Sequence, residues 1–578
     1  MVLWLTAAAV FAVAHLAGPA AGAAALAALL LVFLVLWLDA LLFRLFGVEL
    51  EPAAVRKYCG EILDGLADEA KQVARFLPRS YFSLLPLVAA AALSAAHRSE
   101  LAGFLLAPLL LYFGFRASSL VGPKRAPVGL AAALLACLLA RGSPPTGEVL
   151  VVAVLLALGA KLLASTSWAA SKPFFDLPTY LRPFVPGRAI ADDSGSPVRE
   201  EHAHLFRRPA AARRSGLHGR LRGVSVVLVT LEGVARDHLA LFQEGGAATP
   251  FLERLAARSV VSRHHFCVST QTTNSHRAIY AAGYPDVEGF PCLDALRRAG
   301  YRTVYLTPAN TRHFGLGDLI RRAGFDPVLD QSAFVPHARE PDRVSDYVLM
   351  DQGARIVREL AERPDPFFVH VQTKNTHKSY RVVDPGRFNR WQGRGEISRY
   401  RNCLEEMDWI LGEFLTGLRE SLDDTLLVVT ADHGQAFGEF GYHGHSSSVI
   451  KEEVNVPFLM THPRLEPASV DFSSHFDVLP TVLDLLGIPC PDPVFGEPVL
   501  LPGRVPSLLL YSEVVRAGVP TSCGLIDDGR KVMVDLILGK TYEMDWDDRV
   551  ARELAGGERA YFSALLRRLL AARGLLRG

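Results

Sequence analysis

The distribution of apolar residues limits most strongly how this chain can fold. Half of the 578 residues are hydrophobic, but the apolar excess lies almost entirely before residue 170. Six apolar runs follow one another there, at residues 2–17, 22–43, 82–97, 101–115, 127–140 and 148–165. Several are shorter than the roughly 20 residues that a spanning helix needs. The pattern predicts a membrane domain of five or six transmembrane helices at residues 1–165.

Basic residues set the expected orientation of this membrane domain. They crowd the connection between the second and third runs and follow the fourth run, as Arg44, Arg56, Lys57, Lys71, Arg75, Arg79, Lys124 and Arg125. Both connections should be cytoplasmic, because basic loops are retained on that side. An odd number of spans would put the C-terminal part outside the cytoplasm, whereas six would leave it inside. The sequence leaves both counts open.

The rest of the chain is expected to form a linker and one folded domain. Prolines at 173, 178, 183 and 186 indicate that residues 166–222 are a linker along the membrane.

A formal net charge of +1 argues against a nucleic-acid partner. Residues 223–578 contain five cysteines without a CxxC pair, which excludes a zinc ribbon. One or two disulfides are compatible with an extracytoplasmic domain, but the spacing does not pair them.

From Gly223 onward, short β-branched runs alternate with helical periods, which is typical of a mainly parallel sheet covered by helices. The predicted strands are 224–231, 302–306, 367–372, 425–430 and 457–461. Polar residues follow their ends: Glu232 after the first, His377 shortly after the third, Asp432 and His433 after the fourth. Ligands of such sheets bind beyond the carboxyl ends of the strands. We therefore expect a site at that edge.

The segment TADHGQAFGEFGYHGH, residues 430–445, carries the strongest signal. An apolar strand delivers Asp432 and His433 side by side, and we expect Gly434 to let the backbone turn so that both face one ion. A lone Asp-His pair is ordinarily a helix cap and a core histidine. The second strand that ends in Glu232, together with histidines at 443 and 445, favours metal binding here.

A hydroxyl-rich segment, CVSTQTTNSHRAIYAAGYP at residues 267–285, lies between the first two predicted strands. Thr270, Thr272, Thr273 and Ser275 precede or begin a helical run that ends at Gly283. A hydroxyl at a helix start faces free N–H groups and the positive end of the helix dipole, which suits a phosphate. On this segment alone, an ordinary N-cap is the favoured explanation.

Five blocks within residues 223–490 resemble, in order, those of the sulfatase-like branch of the alkaline phosphatase superfamily. They are VVLVTLEG, QTTNSHRAIYAAGYP, NTHKSY, TADHGQAFGEFGYHG and SHFDVLPTVLDLLGIP. Within that branch the chain is similar to lipoteichoic-acid synthases and to phosphoethanolamine transferases that modify lipid A. The resemblance implies an α-helical membrane domain followed by an α/β alkaline phosphatase/sulfatase-like catalytic domain at residues 223–578. It also implies the cell (inner) membrane, with the catalytic domain in the periplasm.

The resemblance implies a metal site and a nucleophile. The ligands would be Glu232, a threonine, Asp432 and His433, around one divalent ion, zinc or manganese. In the transferases a serine stands three residues after the nucleophile, and TTNS then selects Thr272. Aligning Arg277 on the sulfatase frame would instead select Thr273. Neither position holds the Cys or Ser from which the formylglycine of typical sulfatases forms, which favours phosphoryl chemistry.

Further roles follow from the same resemblance. His377 and His443 match the histidines that contact the substrate phosphate and the leaving group. Substrate contacts are also expected from four other residues, Arg277, Arg312, His313 and His445. The implied activity moves a phosphoethanolamine or phosphoglycerol head group from a membrane phospholipid to an envelope glycolipid or polymer, through a phospho-threonine. The alternatives are a membrane-bound sulfatase-like phosphodiesterase or hydrolase, and an inactive sensor or scaffold.

Overall fold

The computed structural model describes residues 198–207, 213–312, 315–378, 380–393, 395–418, 424–446, 448–512, 522–535 and 540–575. All of them belong to the same compact unit of the chain. The predicted membrane domain at residues 1–165 and the first part of the predicted linker lie outside these ranges. Within them, no helix combines the length and the apolar character needed to cross a bilayer.

A nine-stranded mixed sheet forms the centre of the fold. Its strands are β1 (Ser225–Leu231), β2 (Val260–Phe266), β3 (Arg302–Leu306), β4 (Val328–Leu329), β5 (Phe367–Gln372), β6 (Thr425–Ala431), β9 (Asn455–Val456), β10 (Phe458–Thr461) and β11 (Ala468–Ser474). They lie in the order β11-β2-β10-β6-β1-β5-β3-β4, and β9 pairs with β2. Strands β6, β1, β5, β3 and β4 run parallel to one another. All five strands predicted from the sequence are present.

Two features of the sheet differ from the expectation. Strand β10, predicted at 457–461, runs antiparallel to both β6 and β2, so the sheet is mixed. Hydrophobic periodicity reports burial and not strand direction, which explains why the sequence did not reveal this. Strands β2 and β11 pair in parallel and were not predicted. Their sequences, VVSRHHF and ASVDFSS, are too polar to resemble the buried central strands.

Nine α-helices lie among the described residues. They are α1 (Pro250–Ala256), α2 (Thr272–Ala281), α3 (Pro291–Arg298), α4 (Leu316–Arg322), α5 (Ala354–Ala361), α6 (Glu396–Thr416), α7 (Lys451–Val454), α8 (His475–Leu486) and α9 (Gly556–Ala572). One hydrophobic core joins β1, β5 and β6 to α2, α3, α4 and α8. Ile279 of α2 and Leu479 of α8 are fully buried in it. This packing holds the start of α2 at the edge of the sheet.

A second, antiparallel sheet follows in the chain, with strands β12 (Ser507–Ser512), β13 (Ser522–Asp527), β14 (Arg530–Asp535), β15 (Lys540–Met544) and β16 (Val550–Glu553). The sequence KVMVDLILGKTYEMDW, residues 531–546, predicts a strand-rich piece, and residues 551–576 predict an amphipathic helix. Strands β14 and β15 and helix α9 confirm both. Tyr284, after α2, joins the two parts: its hydroxyl donates to the Leu509 carbonyl at 3.0 Å and accepts from the Leu509 N–H at 2.8 Å. A two-stranded ribbon, β7 (Ala436–Phe437) and β8 (His443–Gly444), follows β6.

The described part of the predicted linker packs on this domain. His202 Nδ1 lies 2.8 Å from the Tyr561 hydroxyl of α9, and the Ser215 hydroxyl donates to Asp484 of α8 at 2.5 Å. Leu221 is fully buried. Proline content suggested a linker up to residue 222, but these residues form part of the folded unit.

The five cysteines of the described region, Cys267, Cys292, Cys403, Cys490 and Cys523, are free thiols.

Candidate active site

Three ionisable side chains meet beyond the carboxyl ends of β1 and β6. Glu232 follows β1, and Asp432 and His433 follow β6. One ligand atom from each lies within 4.8 Å of the others. His433 Nε2 is 3.7 Å from Glu232 Oε1 and 3.5 Å from Asp432 Oδ2. All three side chains are buried, so the cluster is not a chance grouping of exposed charged residues.

Strand register explains why these side chains face the same way. Thr230 of β1 pairs with Gln372 of β5 and with Thr430 of β6. Side chains two residues apart in a strand point to the same face. Glu232 and Asp432 each lie two residues beyond one of the paired threonines, so the sheet brings both carboxylates to one face.

Hydrogen bonds fix most of the carboxylate oxygens. Asp432 Oδ1 accepts from the backbone N–H groups of Gly233, at 2.9 Å, and His433, at 2.8 Å. Gly233 has a φ of +60°, in the left-handed region that glycine adopts without strain. The Gln372 side-chain amide donates to Glu232 Oε2 at 3.0 Å and to Asp432 Oδ2 at 3.3 Å. These bonds orient both acids toward His433.

Unused lone pairs remain at the centre of the cluster. No described residue donates a hydrogen bond to Glu232 Oε1, although this atom is buried. His433 Nδ1 lies 2.9 Å from the Gly434 carbonyl, which can only accept, so Nδ1 carries the proton and Nε2 offers a lone pair. Carboxylate oxygens and an imidazole nitrogen at one point are ligands for a divalent cation such as zinc or manganese. The residues therefore fit the ion that the sequence predicts.

The pKa values of the two acids also fit a cation. Burial, reinforced by the charge of Asp432, raises the pKa of Glu232 well above its ordinary value. Burial acts in the same direction on Asp432, but the imidazoles of His433 and His276 and the backbone N–H groups outweigh it and lower its pKa. Without a counter-charge, the pair favours a single negative charge. A bound cation would allow both carboxylates to ionise.

A hydroxyl approaches the same cluster from α2. Thr272 is the first residue of this helix, and its Oγ1 lies 3.3 Å from His433 Nε2. The first backbone N–H groups of a helix have no intrahelical acceptor and, with the helix dipole, favour an anion. The hydroxyl thus lies between the candidate metal ligands and a helix start that can hold an anion. Of the two threonines considered from the sequence, Thr272 contacts the cluster through His433.

Two neutral imidazoles extend the site. The ring centroid of His445 lies 4.3 Å from that of His433, in a stacked arrangement, and 5.5 Å from that of His377. Burial lowers the pKa of His377 to about 4 and that of His445 well below its usual range. Both rings are therefore uncharged at neutral pH, and His445 donates its one N–H, on Nδ1, to the Gln435 side-chain oxygen. His443 belongs to β8, but its side chain lies outside the described part of the structure.

Arg277 is directed away from the cluster. The Arg277 guanidinium donates to carbonyls at the far end of α2, those of Gly283, Tyr284, Pro285 and Val287. With 3.6 residues per turn, it projects roughly 140° away from Thr272 around the helix. The expected phosphate contact of Arg277 is thus corrected to a structural role. Arg312 is exposed on the loop after β3, and His313 lies outside the described residues.

The sequence analysis missed two residues that contact the cluster and its imidazoles. Gln372 ends β5 and reaches both acids. Gln435 lies 2.9 Å from His445 Nδ1 through its side-chain oxygen. The available signal was a polar residue at the end of an otherwise apolar strand, FFVHVQ, which marks the same sheet edge as Glu232.

Comparison with known proteins shows which family model and which curated proteins this chain resembles. Residues 225–488 match the family model described as Sulfatase. A Drosophila melanogaster extracellular sulfatase SULF-1 homolog is 31% identical over 145 residues, covering 24% of this chain and 13% of that protein. The steryl-sulfatase of Mus musculus is 33% identical over 160 residues, covering 25% and 24%. Lipoteichoic acid synthase-like YvgJ of Bacillus subtilis is 22% identical over 362 residues, covering 56% and 57%. The matched part of the chain covers between 13% and 57% of the length of these curated relatives.

Solved structures share the fold. The lipoteichoic acid synthase LtaP from Listeria monocytogenes superposes with a TM-score of 0.51 at 18% identity, covering 64% of this chain and 97% of that one. A protein in the alkaline phosphatase superfamily from Vibrio parahaemolyticus gives a TM-score of 0.52 at 18% identity, covering 67% and 98%. At such low identity these similarities establish the architecture alone.

Proposed function

We propose that this protein is a metal-dependent phosphotransferase. The proposal starts from residues 225–488, which match the Sulfatase family model, and from the fold, which is that of the alkaline phosphatase superfamily. The protein would move a phosphoethanolamine or phosphoglycerol head group from a membrane phospholipid to an envelope glycolipid or polymer. One observation carries the proposal: the Thr272 hydroxyl, at a helix start, lies 3.3 Å from His433 Nε2, which forms a buried set of possible metal ligands with Glu232 and Asp432.

The type of nucleophile favours phosphoryl transfer over sulfate-ester cleavage. Typical sulfatases need a formylglycine made from Cys or Ser, whereas this chain has Thr272 and Thr273 at the two candidate positions. The matched proteins include sulfatases and also lipoteichoic acid synthase-like YvgJ. A threonine hydroxyl can form a stable phosphate ester and release it to a second alcohol.

The chain's own residues account for the chemistry as follows. Glu232, Asp432, His433 and Thr272 would hold one divalent ion, which supplies a lowered pKa for the hydroxyl and a shield for the phosphate charge. The Thr272 hydroxyl loses its proton and attacks phosphorus in line. A new Oγ–P bond forms, and the P–O bond to the diacylglycerol side breaks. The departing alkoxide takes up one proton and leaves as diacylglycerol.

The second half of the cycle restores the enzyme. An acceptor hydroxyl loses its proton, attacks the phosphorus of the phospho-threonine, and Thr272 leaves and is reprotonated. His377 is held neutral by burial, so it can donate an N–H hydrogen bond to a phosphate oxygen. The start of α2 holds the anion with its free N–H groups.

A phospholipid donor stays in the bilayer, which gives the predicted membrane helices at residues 1–165 a purpose. They would keep the site beside its substrate in the cell membrane, with the catalytic domain on the periplasmic side. This arrangement also places the site where envelope acceptors are found.

The test uses the purified full-length chain, manganese or zinc, and a fluorescent phospholipid, with and without a glycolipid acceptor. We expect acceptor-dependent release of fluorescent diacylglycerol. In mass spectra taken without acceptor, we expect the phosphoethanolamine or phosphoglycerol group bound to Thr272. Thr272→Ala should lower turnover at least about a thousandfold. Its loss of stability should be only about 1 kcal/mol, the cost of a helix-start hydroxyl.

Thr273→Ala is the matched control and should retain activity. Full activity of Thr272→Ala with an inactive Thr273→Ala would move the nucleophile by one residue. Turnover without acceptor would identify a phosphodiesterase, and cleavage of nitrophenyl sulfate a sulfatase. A protein that binds no transition metal in elemental analysis would be an inactive sensor or scaffold.

A further inference from the structure

A continuous line of buried hydrogen bonds runs beneath the carboxylates. The Tyr280 hydroxyl of α2 lies 2.5 Å from His370 Nδ1, and His370 Nε2 lies 2.8 Å from the Thr230 hydroxyl. Thr230 in turn bonds the Gln372 side-chain oxygen. Gln372 then donates to both Glu232 and Asp432. The four residues of this line of hydrogen bonds are each at most 1% exposed, so water does not compete for the bonds. They are Tyr280, His370, Thr230 and Gln372.

Each hydrogen bond in this line has a defined direction. The Gln372 carbonyl oxygen can only accept, so the Thr230 hydroxyl donates to it. Thr230 must then accept from His370, which puts the imidazole proton on Nε2. A neutral imidazole has one N–H, so Nδ1 accepts from the Tyr280 hydroxyl. Burial lowers the pKa of His370 well below its usual range, in keeping with the neutral ring. Every donor therefore points toward the metal ligands.

This direction decides which end of the Gln372 amide faces the acids. In the observed orientation its NH₂ group meets Glu232 Oε2 and Asp432 Oδ2. A flipped amide would set a carbonyl oxygen against two carboxylates and would leave Thr230 facing an NH₂ group. If the Gln372 amide could flip, its hydrogen bonds to Glu232 and Asp432 would be lost in the flipped orientation. The hydroxyl of Thr230 is the group that prevents it.

Packing keeps the line rigid. The His370 ring stacks on His276 with centroids 4.9 Å apart, and Tyr305 and Phe325 also pack against it, at 5.1 Å and 6.3 Å. The Tyr305 hydroxyl lies 3.2 Å from His276 Nε2, and His276 Nδ1 lies 2.8 Å from the backbone carbonyl of Thr272. The rings that enclose the line thus also touch the residue that carries the nucleophilic hydroxyl.

We infer that Tyr280, His370 and Thr230 are positioning residues that lock the Gln372 amide and thereby preorganise Glu232 and Asp432 for one divalent cation. The inference rests on the proposed function, since it assumes that an ion binds at this cluster. None of the three residues touches the ion or the reacting atoms. They act through Gln372, which holds one oxygen of each acid and leaves Glu232 Oε1 to the cation.

Substitution of Thr230 tests the inference. Thr230→Val keeps the volume and the β-branch but removes the hydroxyl, so the Gln372 amide can rotate. The affinity of the chelator-stripped full-length chain for Mn²⁺ or Zn²⁺, measured by calorimetry, should fall by about 10- to 100-fold, the usual effect of losing an outer partner of a metal site. Thr230→Ser retains a donor at the same place and should restore affinity to within about threefold of the wild type.

Thr303→Val is the matched control. Thr303 is also buried in the central sheet, and its hydroxyl donates to the Gly324 carbonyl at 2.7 Å, away from the line. It should lose a comparable amount of stability, measured by urea unfolding, with its ion affinity unchanged. Should Thr230→Val fail to fold, Tyr280→Phe removes the donor at the far end and should still weaken binding about threefold or more.

The outcomes separate the inference from the function on which it rests. A wild-type protein that binds no ion overturns both. Wild-type binding with an unchanged affinity in Thr230→Val, or in a Tyr280→Phe protein used in its place, overturns the positioning role and leaves the proposed function standing. Equal losses of affinity in Thr230→Val and Thr303→Val would also overturn it, because the effect would then be one of general stability.

Discussion

Glu232 illustrates how a buried side chain can favour binding at the expense of stability. Its Oε1 has no hydrogen-bond donor among the described residues, and burial together with Asp432 raises its pKa. Ionising this group without a cation therefore costs free energy, at about 1.4 kcal/mol for each unit of pKa shift. The same features make Glu232 a ready ligand, because a cation relieves the cost.

Replacing Glu232 by Gln should separate the two effects. The amide has the same shape without the charge, so the metal-free variant should be more stable than the metal-free wild type, by about 1 kcal/mol. Its affinity for Mn²⁺ or Zn²⁺ should fall at least about a hundredfold. Urea unfolding in the presence of a chelator and calorimetry with metal measure the two quantities. A variant that is both less stable and equally able to bind the ion would contradict this account of Glu232.

At the residue scale, the sequence revealed the groups that end strands and missed those that support them. Glu232, Asp432 and His433 could be predicted because a charged residue after an apolar strand is conspicuous. Thr272 depended on family resemblance, since a hydroxyl at a helix start is ordinarily a cap. Thr230 and Gln372 lie inside strands, and their importance follows from register across β1 and β5, which no local pattern specifies.

Among the elements, the turn after β6 depends on close packing. The sequence predicted that Gly434 lets the backbone turn after the strand. Its φ, however, is not in the left-handed region that favours glycine. A Cβ at this position would instead collide with the Glu452 carbonyl of α7 and come within 3.1 Å of the Ala235 Cβ. The Gly434 N–H also donates to the Glu453 carbonyl at 2.9 Å. The glycine is needed so that α7 can approach the strand end that carries Asp432 and His433.

Gly434→Ala should therefore destabilise the fold by about 1–3 kcal/mol, the usual cost of overpacking, and weaken ion binding by shifting the β6 turn. Chemical denaturation followed by tryptophan fluorescence measures the first effect. Gly216→Ala is the control, because nothing lies within 4 Å of a Cβ there and its φ is not positive. If both variants match the wild type in stability, the contact with Glu452 is not the reason for the glycine.

Helix α8 contains a buried imidazole that makes stability depend on pH. His475 is fully buried, its Nε2 lies 2.9 Å from the Ala431 carbonyl, and burial lowers its pKa to about 4. The His265 ring lies 5.4 Å away, and Asp432, His276 and His433 also influence the charge on His475. The unfolded chain binds this proton near pH 6.5, so between pH 6.5 and 4 the unfolded state holds more protons.

Stability should consequently rise with pH through that window and fall as the solution is acidified. His475→Gln keeps an N–H donor but cannot titrate, so its loss of unfolding free energy between pH 7 and pH 4 should be smaller than that of the wild type, by up to about 3 kcal/mol. Urea unfolding at three pH values provides the comparison. Parallel pH profiles for the two proteins would show that His475 does not bind a proton on unfolding.

The elements themselves were largely predictable. Five strands of the central sheet and the C-terminal helix follow from hydrophobic periodicity and helical pattern. The direction of β10 and the existence of β2 and β11 did not, because pairing partners far apart in the chain decide them. The described residues of the expected linker pack on α8 and α9 through single contacts such as Ser215 with Asp484, which composition does not reveal.

For the whole molecule, the proposed function requires the catalytic domain to lie outside the cytoplasm. Val505 is 70% exposed on the loop before β12, so a cysteine there would be accessible. In spheroplasts that produce Val505→Cys, a membrane-impermeant maleimide should label the protein without permeabilisation. The wild type gives the background, since four of the five described cysteines are buried. Labelling that requires permeabilisation would place the domain in the cytoplasm and exclude an envelope acceptor.

One measurement tests the central claim, that four residues share a single cation. It is a crystal structure of the full-length chain grown with zinc, with anomalous diffraction recorded at the zinc edge. We predict one strong peak among Glu232, Thr272, Asp432 and His433, about 2.0–2.2 Å from a ligand atom of each. An anomalous map with no peak at this cluster, or with the zinc held by other residues, would contradict the account.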